Sequence, residues 1–223
     1  MLEADQIVFG IMWYVVFLFS TVCHEAAHAW AALMGGDRTA YNSGQVSLSP
    51  FPHIQREPFG MLIFPWASFF LNGWMMGWAS APYDPFWARR YPKRAAWMSL
   101  AGPLANFTLA IIGGFALRIG YSTGAFAGRT SFLQTSGNPI EDLFSVMFFL
   151  NVVLGAFNLI PLPPLDGFTA IGVLLPESIA YKLEDLRQSA GMFQILGLVI
   201  AWQVSGMVIR PAMAIFSALI FGF

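Results

Sequence analysis

Long stretches free of Asp, Glu, Lys and Arg alternate along this chain with short polar breaks. Five stand out: Ile7–Cys23, Phe59–Tyr83, Ala95–Leu117, Leu143–Leu165 and Ser189–Ile209. Each is long enough, or nearly so, to cross a hydrocarbon core about 30 Å thick as a helix rising about 1.5 Å per residue. The pattern predicts an all-α polytopic membrane protein with about five to six membrane segments. The polar breaks are short, so residues 1–223 read as a single membrane-embedded domain. Its core lies over 7–176, with one or two further segments over 189–223.

Two regions depart from that pattern. In Asp37–Pro58, Val46 and Leu48 alternate with polar residues among Ser, Thr, Asn and Gly, which predicts a short β or irregular segment at 39–49 on the membrane surface. The run Phe59–Tyr83 has the length of a span, but Pro65 and the Asn72-Gly73 pair suit a re-entrant or interfacial segment at 59–83. Gly113-Gly114 predicts close helix packing, and Arg210-Pro211 a kink or a boundary in the last apolar stretch. Trp66, Trp74, Trp78 and Trp87 read as interfacial anchors.

Composition agrees. Residues of the AVILMFWYC class make up 57% and charged residues 10%, against about a quarter charged in soluble proteins; the mean hydropathy is +0.62. A net charge of −1 gives no electrostatic footprint for nucleic acid. One cysteine excludes an internal disulfide framework and a Cys-rich zinc site, and Cys23 reads as packing. The first run is aromatic and its flank acidic (Glu3, Asp5), unlike a secretory signal peptide.

Candidate chemistry begins where the first run ends, in Cys23-His24-Glu25-Ala26-Ala27-His28-Ala29. A helix puts residues i and i+4 on one face, so both imidazoles can bind one zinc ion, and Glu25 is placed to act as general base on water. Ionisable groups are costly in a membrane segment, and three within five residues imply a shared purpose; the bland alternative is a cluster facing water at the helix end. Catalytic zinc takes three protein ligands. Among His53, Asp84, Glu141, Asp142 and Asp166, the last stands out. It ends the fourth run in Asn158-Leu159-Ile160-Pro161-Leu162-Pro163-Pro164-Leu165-Asp166-Gly167, where the prolines stop a helix. Broken backbone at membrane depth belongs where it is buried in protein or lines a wet cavity; the other reading makes Asp166 a cap at a surface turn. His53 reads as a polar loop residue.

HEAAH, the run Ala101-Gly102-Pro103-Leu104-Ala105-Asn106, and Asn158…Pro161-x-Pro163-x-Leu165-Asp166-Gly167 resemble the three signatures of the site-2 proteases, which are intramembrane zinc metalloproteases. The resemblance implies that His24, His28 and Asp166 bind one Zn²⁺ per chain and that Glu25 activates water. It also implies that Asn158 holds the substrate or the developing oxyanion, and that Asn106 helps line the site. The chain looks like a minimal member, without a membrane segment before HExxH and without room for a PDZ-like or CBS-like domain.

Topology follows from the ligands. His24 lies about 25 Å into its run and Asp166 at the end of the fourth, so the first and fourth runs must cross in the same direction. Phe59–Tyr83 must then not invert the chain. Eight basic residues (Arg38, Arg56, Arg89, Arg90, Lys93, Arg94, Lys182, Arg187) then share one face, against Arg118 and Arg129 on the other. The positive-inside bias places the crowded face in the cytoplasm of a cell membrane, with the N-terminus outside and the zinc toward the cytoplasm. The expected partners are transmembrane-helix protein substrates and the lipid bilayer; a regulatory membrane partner and self-association stay open. Thr39–Ser49 is either an edge to which an unwound substrate adds as a strand or a plain surface hairpin. The rival readings are a transporter or channel using the His/Glu/Asp cluster, and an inactive scaffold for membrane helices.

Overall fold

A computed structural model of the protein describes residues 4–128, 131–189 and 191–222. The first helix, α1 (Ala4–Gly35), is one rod of 32 residues that carries the HEAAH motif past the end of its charge-free run. Its last carbonyl is capped from elsewhere: Gly35 O accepts from Trp87 Nε1 and from Arg94 Nη1, both at 3.0 Å. Trp87 is thus buried as a helix cap and is not an interfacial anchor.

Of the two alternatives for 39–49, β or irregular, the β one does not form. Asp37 accepts hydrogen bonds from the Thr39 amide (2.9 Å) and hydroxyl (2.6 Å), which starts a helical turn, α2 (Thr39–Asn42). Ser43 and Ser47 then bond their hydroxyls to nearby backbone, which competes with strand pairing. The stretch after α2 is irregular, and no strand occurs among the described residues. It leads into α3 (Pro50–Arg56), capped by Ser49 with Pro50 in the first position. His53, expected in a surface loop, is fully buried in α3 and its ring lies 3.1 Å from Ser47 O.

A π-helical turn (Phe59–Ile63) runs into α4 (Phe64–Asn72), together a short apolar helix over Phe59–Asn72. Gly73 then reverses the chain at φ +78°. The return limb lies back along the helix: the Met76 amide donates to Ser68 Oγ at 2.8 Å and the Trp78 amide to Gly60 O at 3.3 Å. A Cβ on Gly60 would stand 2.4 Å from Trp78 O, so only glycine lets the limbs touch. The segment ends beside where it began and does not invert the chain. It leans on α1 through Tyr14 and Trp66, whose rings are 5.4 Å apart.

Capping then repeats. Asp84 caps α5 (Pro85–Arg90) by accepting from the Phe86 amide at 2.8 Å. After Tyr91 comes α6 (Pro92–Ser122). Asn138 caps α7 (Pro139–Asn158), whose first turn carries Glu141 and Asp142 against the positive end of the helix dipole. This helix stops at Asn158, seven residues short of its apolar run, because the prolines at 161, 163 and 164 cannot continue it. Then follow α8 (Gly167–Ala170), a 3-10 turn (Ile171–Val173), α9 (Glu177–Ser189) and α10 (Phe193–Phe221). The last helix continues through Pro211 as one element, so Arg210-Pro211 marks no boundary.

Among the described residues, four helices have the length and apolar character to cross a membrane: Gln6–Gly35, Pro92–Ser122, Pro139–Asn158 and Phe193–Phe221. The close pair is α6 and α7; a Cβ on Gly113 would lie 3.0 Å from Phe148 N, so the two backbones nearly touch. Trp13, Phe17 and Leu150 fill the seam of α1 with α7. On the outside, α10 has little buried surface but seats Gly197 against Pro163 O, covering the proline loop. At the other end of the bundle Arg118 reaches Ile220 O.

Candidate metal centre and active site

Two ligands come from one helix face. His24 and His28 are one turn apart on α1, both buried, with their Nε2 atoms 3.0 Å apart. The third is 142 residues away from His24: Asp166 Oδ2 lies 3.1 Å from His24 Nε2 and 3.3 Å from His28 Nε2. The proline loop brings it there by folding back on the end of α7. Gly167 packs so tightly that a Cβ on it would stand 2.2 Å from Leu159 O. Two side chains of α6 hold the loop's far side: Ser99 Oγ and Thr169 Oγ1 are 2.7 Å apart, and the Lys93 ammonium donates to Gly172 O (2.9 Å), Val173 O (3.0 Å) and Leu175 O.

The imidazoles are oriented from behind. His24 Nδ1–H donates to Asn106 Oδ1 at 2.6 Å, and His28 Nδ1–H to the carbonyl of Met98 at 2.7 Å. With both Nδ1 positions protonated, both Nε2 lone pairs face each other and a carboxylate oxygen. Three electron pairs converging in a buried space repel unless a proton or a cation sits among them. Zinc with bonds of about 2.0–2.1 Å in a tetrahedron separates its ligands by about 3.3 Å, close to the spacing of the three atoms here. Gly102 leaves the necessary room, since a Cβ there would lie 2.4 Å from His28 Nε2 and 2.6 Å from His24 Nε2. The donor set, its convergence and this cradle fit zinc.

Residues 12–202 match peptidase family M50. The chain belongs to that family, the site-2 proteases. It is 33% identical over 187 residues to a Bacillus subtilis (strain 168) protein named "Putative zinc metalloprotease YwhC", an alignment covering 83% of this chain and 78% of that one. It is 30% identical over 182 residues to "Putative zinc metalloprotease Rip2" of Mycolicibacterium smegmatis, covering 82% of this chain and 64% of the relative, and 26% identical over 183 residues to a Mycobacterium tuberculosis (strain Erdman) protein of the same name, covering 80% and 63%. The chain thus spans a little under two thirds of these two mycobacterial proteins. No solved structure matches it. It is an integral membrane metalloprotease of this family.

The remaining candidates of this M50 protein fall in different places. Glu25, next to His24, is buried, and among the described residues its carboxylate is engaged by no hydrogen bond or ion pair. Asn106 lies behind His24 and holds its ring. Asn158 ends α7 beside the loop, with its Nδ2 donating to Leu154 O at 3.0 Å, one turn back in its own helix. His53, Asp84, Glu141 and Asp142 take no part in the cluster. Four contributors escaped the sequence reading: Gly102 as a cradle, the Met98 carbonyl, and Asn151 and Ser20 behind Asn106. Asn151 had a readable signal, because an amide inside an apolar run needs a partner. A backbone carbonyl has none.

Proposed function

We propose that this protein is a zinc-dependent intramembrane endopeptidase that hydrolyses peptide bonds in or near the transmembrane helices of membrane-protein substrates. The observation that carries the reading is the convergence of His24 Nε2 and His28 Nε2, buried on an apolar helix, with Asp166 Oδ2 of the half-buried proline loop, and with the uncommitted carboxylate of Glu25 alongside. Zinc held by these three atoms would polarise the scissile carbonyl and lower the pKa of water at the site. Glu25 takes the proton from the attacking water and delivers it to the leaving amine. Asn158 gives up its bond to Leu154 O and turns its amide toward the developing oxyanion. A substrate helix hides its carbonyls in its own hydrogen bonds, so it must unwind locally before it reaches the site.

The placement in the membrane follows from charge. Arg94 bonds the end of α1, Arg89 pairs with Asp185 of α9 at 2.5 Å, and Lys93 holds the segment after Asp166, so these cations gather at the site's end of the bundle. Arg118 lies at the other end. Positive-inside bias orients the former toward the cytoplasm and the N-terminus outside.

The test is Glu25→Gln in the full chain, reconstituted with a single-span reporter. Zinc content stays at one ion per chain and cleavage falls by at least about 10²-fold, the usual scale for a lost general base. Retained cleavage removes Glu25 as the base; a wild-type chain that binds no zinc removes the metalloprotease reading.

A further inference from the structure

We infer that Asn151, oriented by the carbonyl of Met147 and steadied by Ser20, is a positioning residue for the metal centre: it sets the sense of the Asn106 amide, and through it which nitrogen of His24 faces the metal. The inference rests on the zinc reading above. An asparagine amide has two nearly isosteric orientations, and only one turns oxygen toward His24. Asn106 cannot choose by itself, because its far side meets another asparagine. The choice is made one link further away.

Asn151 on α7 donates from Nδ2 to the carbonyl of Met147 (2.8 Å) and to Ser20 Oγ of α1 (2.9 Å). A backbone carbonyl only accepts, so Asn151 must present its nitrogen on that side. Its Oδ1 therefore faces Asn106 and accepts from Asn106 Nδ2 at 2.8 Å. Asn106 then has only oxygen to offer His24, whose Nδ1 must carry the proton. The lone pair of Nε2 is left for the metal. Ser20, Asn106 and Asn151 are all fully buried, so no solvent is at hand to substitute for a missing link. The relay ties α1, α6 and α7 together and gives each amide in it a defined direction.

Partners behind a metal-bound histidine commonly change metal affinity about 10–100-fold when removed. The experiment measures zinc affinity of the purified full chain in detergent, by competition against a calibrated chelator, for wild type, Asn106→Ala, Asn151→Leu, Ser20→Ala and the double variants with Asn106→Ala. Asn106→Ala weakens zinc by about 10–100-fold. Asn151→Leu, which keeps the volume and removes the direction, weakens it by about 5–30-fold, on the same scale. In the Asn106→Ala background Asn151→Leu adds nothing, because the link it works through is gone. A packing role would lower affinity in both backgrounds.

Two results overturn the inference: wild-type affinity in Asn151→Leu, or losses that multiply in the double variant. Should the leucine variant fail to fold, Ser20→Ala carries the same test with a loss of about 2–5-fold, a weaker form of the same effect, that vanishes in the Asn106→Ala background. A wild-type chain without zinc affinity would instead reject the metal reading itself.

Discussion

Replacing Gly102 with alanine separates the metal site from the fold. The new Cβ would stand 2.4 Å from His28 Nε2, 2.6 Å from His28 Cε1 and 2.6 Å from His24 Nε2. Ordinary contact between such atoms is about 3.5 Å, so the imidazoles must retreat by roughly 1 Å. Metal ligands tolerate about 0.2 Å, and both rings are tethered from behind by Asn106 and Met98. The substitution otherwise favours the fold, since alanine in a helix gains up to about 1 kcal/mol over glycine. Local propensity and site geometry therefore pull in opposite directions, and the site should lose. Zinc affinity is expected to fall at least about 100-fold, equivalent to about 2.7 kcal/mol, and cleavage by a similar factor. The melting temperature measured with excess chelator should stay near that of wild type. The assay pairs chelator competition with thermal unfolding of the purified chain in detergent. Zinc binding within threefold of wild type would refute the reasoning, because the close approach of α6 would then place no constraint on the ligands.

Three further outcomes are expected. Lys93→Met removes the cation that gathers the carbonyls of Gly172, Val173 and Leu175, loosening the segment behind Asp166; it should cost about 1–3 kcal/mol of stability and weaken zinc binding, and unchanged unfolding curves would count against the clamp. Burial holds the Tyr83 hydroxyl above its ordinary pKa of 10.0, with Arg187 opposing and Glu184 adding to the shift. Its stabilising share is thus present below pH 10.0 and lost as the pH rises through the higher folded value. The phenolate absorbance lost in Tyr83→Phe should accordingly have its midpoint above pH 10.0, and a midpoint below it would contradict the burial. Finally, a cysteine at Gln6 should react from outside intact cells with a membrane-impermeant reagent, and one at Lys182 only after permeabilisation; the reverse pattern would invert the proposed orientation.

Much of the architecture was legible because it is local. Charge-free runs marked the four long helices, and i, i+4 spacing put the two histidines on one face. The hairpin at 59–83 was readable from a constraint: His24 and Asp166 can share a depth only if that stretch does not cross. The 39–49 segment shows where such reading stops. Val46 and Leu48 alternate as a strand would, but two apolar positions weigh less than the Asp37–Thr39 bonds that start a helical turn. His53 looked like a loop residue because its neighbours are polar, yet α3 buries it completely.

The sequence by itself determined which segments are apolar enough to cross a membrane, that two imidazoles share a helix face, and that a carboxylate stands in a proline-broken stretch. These are properties of neighbours along the chain, set by side-chain solvation and the helical repeat. Only the tertiary structure decided that Asp166 meets both rings, that α6 supplies a gap at Gly102, and that a chain of amides reaching Ser20 holds His24 from behind. Those contacts join residues far apart in sequence and depend on backbone carbonyls and on the missing Cβ of a glycine, which leave no periodic trace. Packing among three helices turned scattered polar residues into one oriented centre.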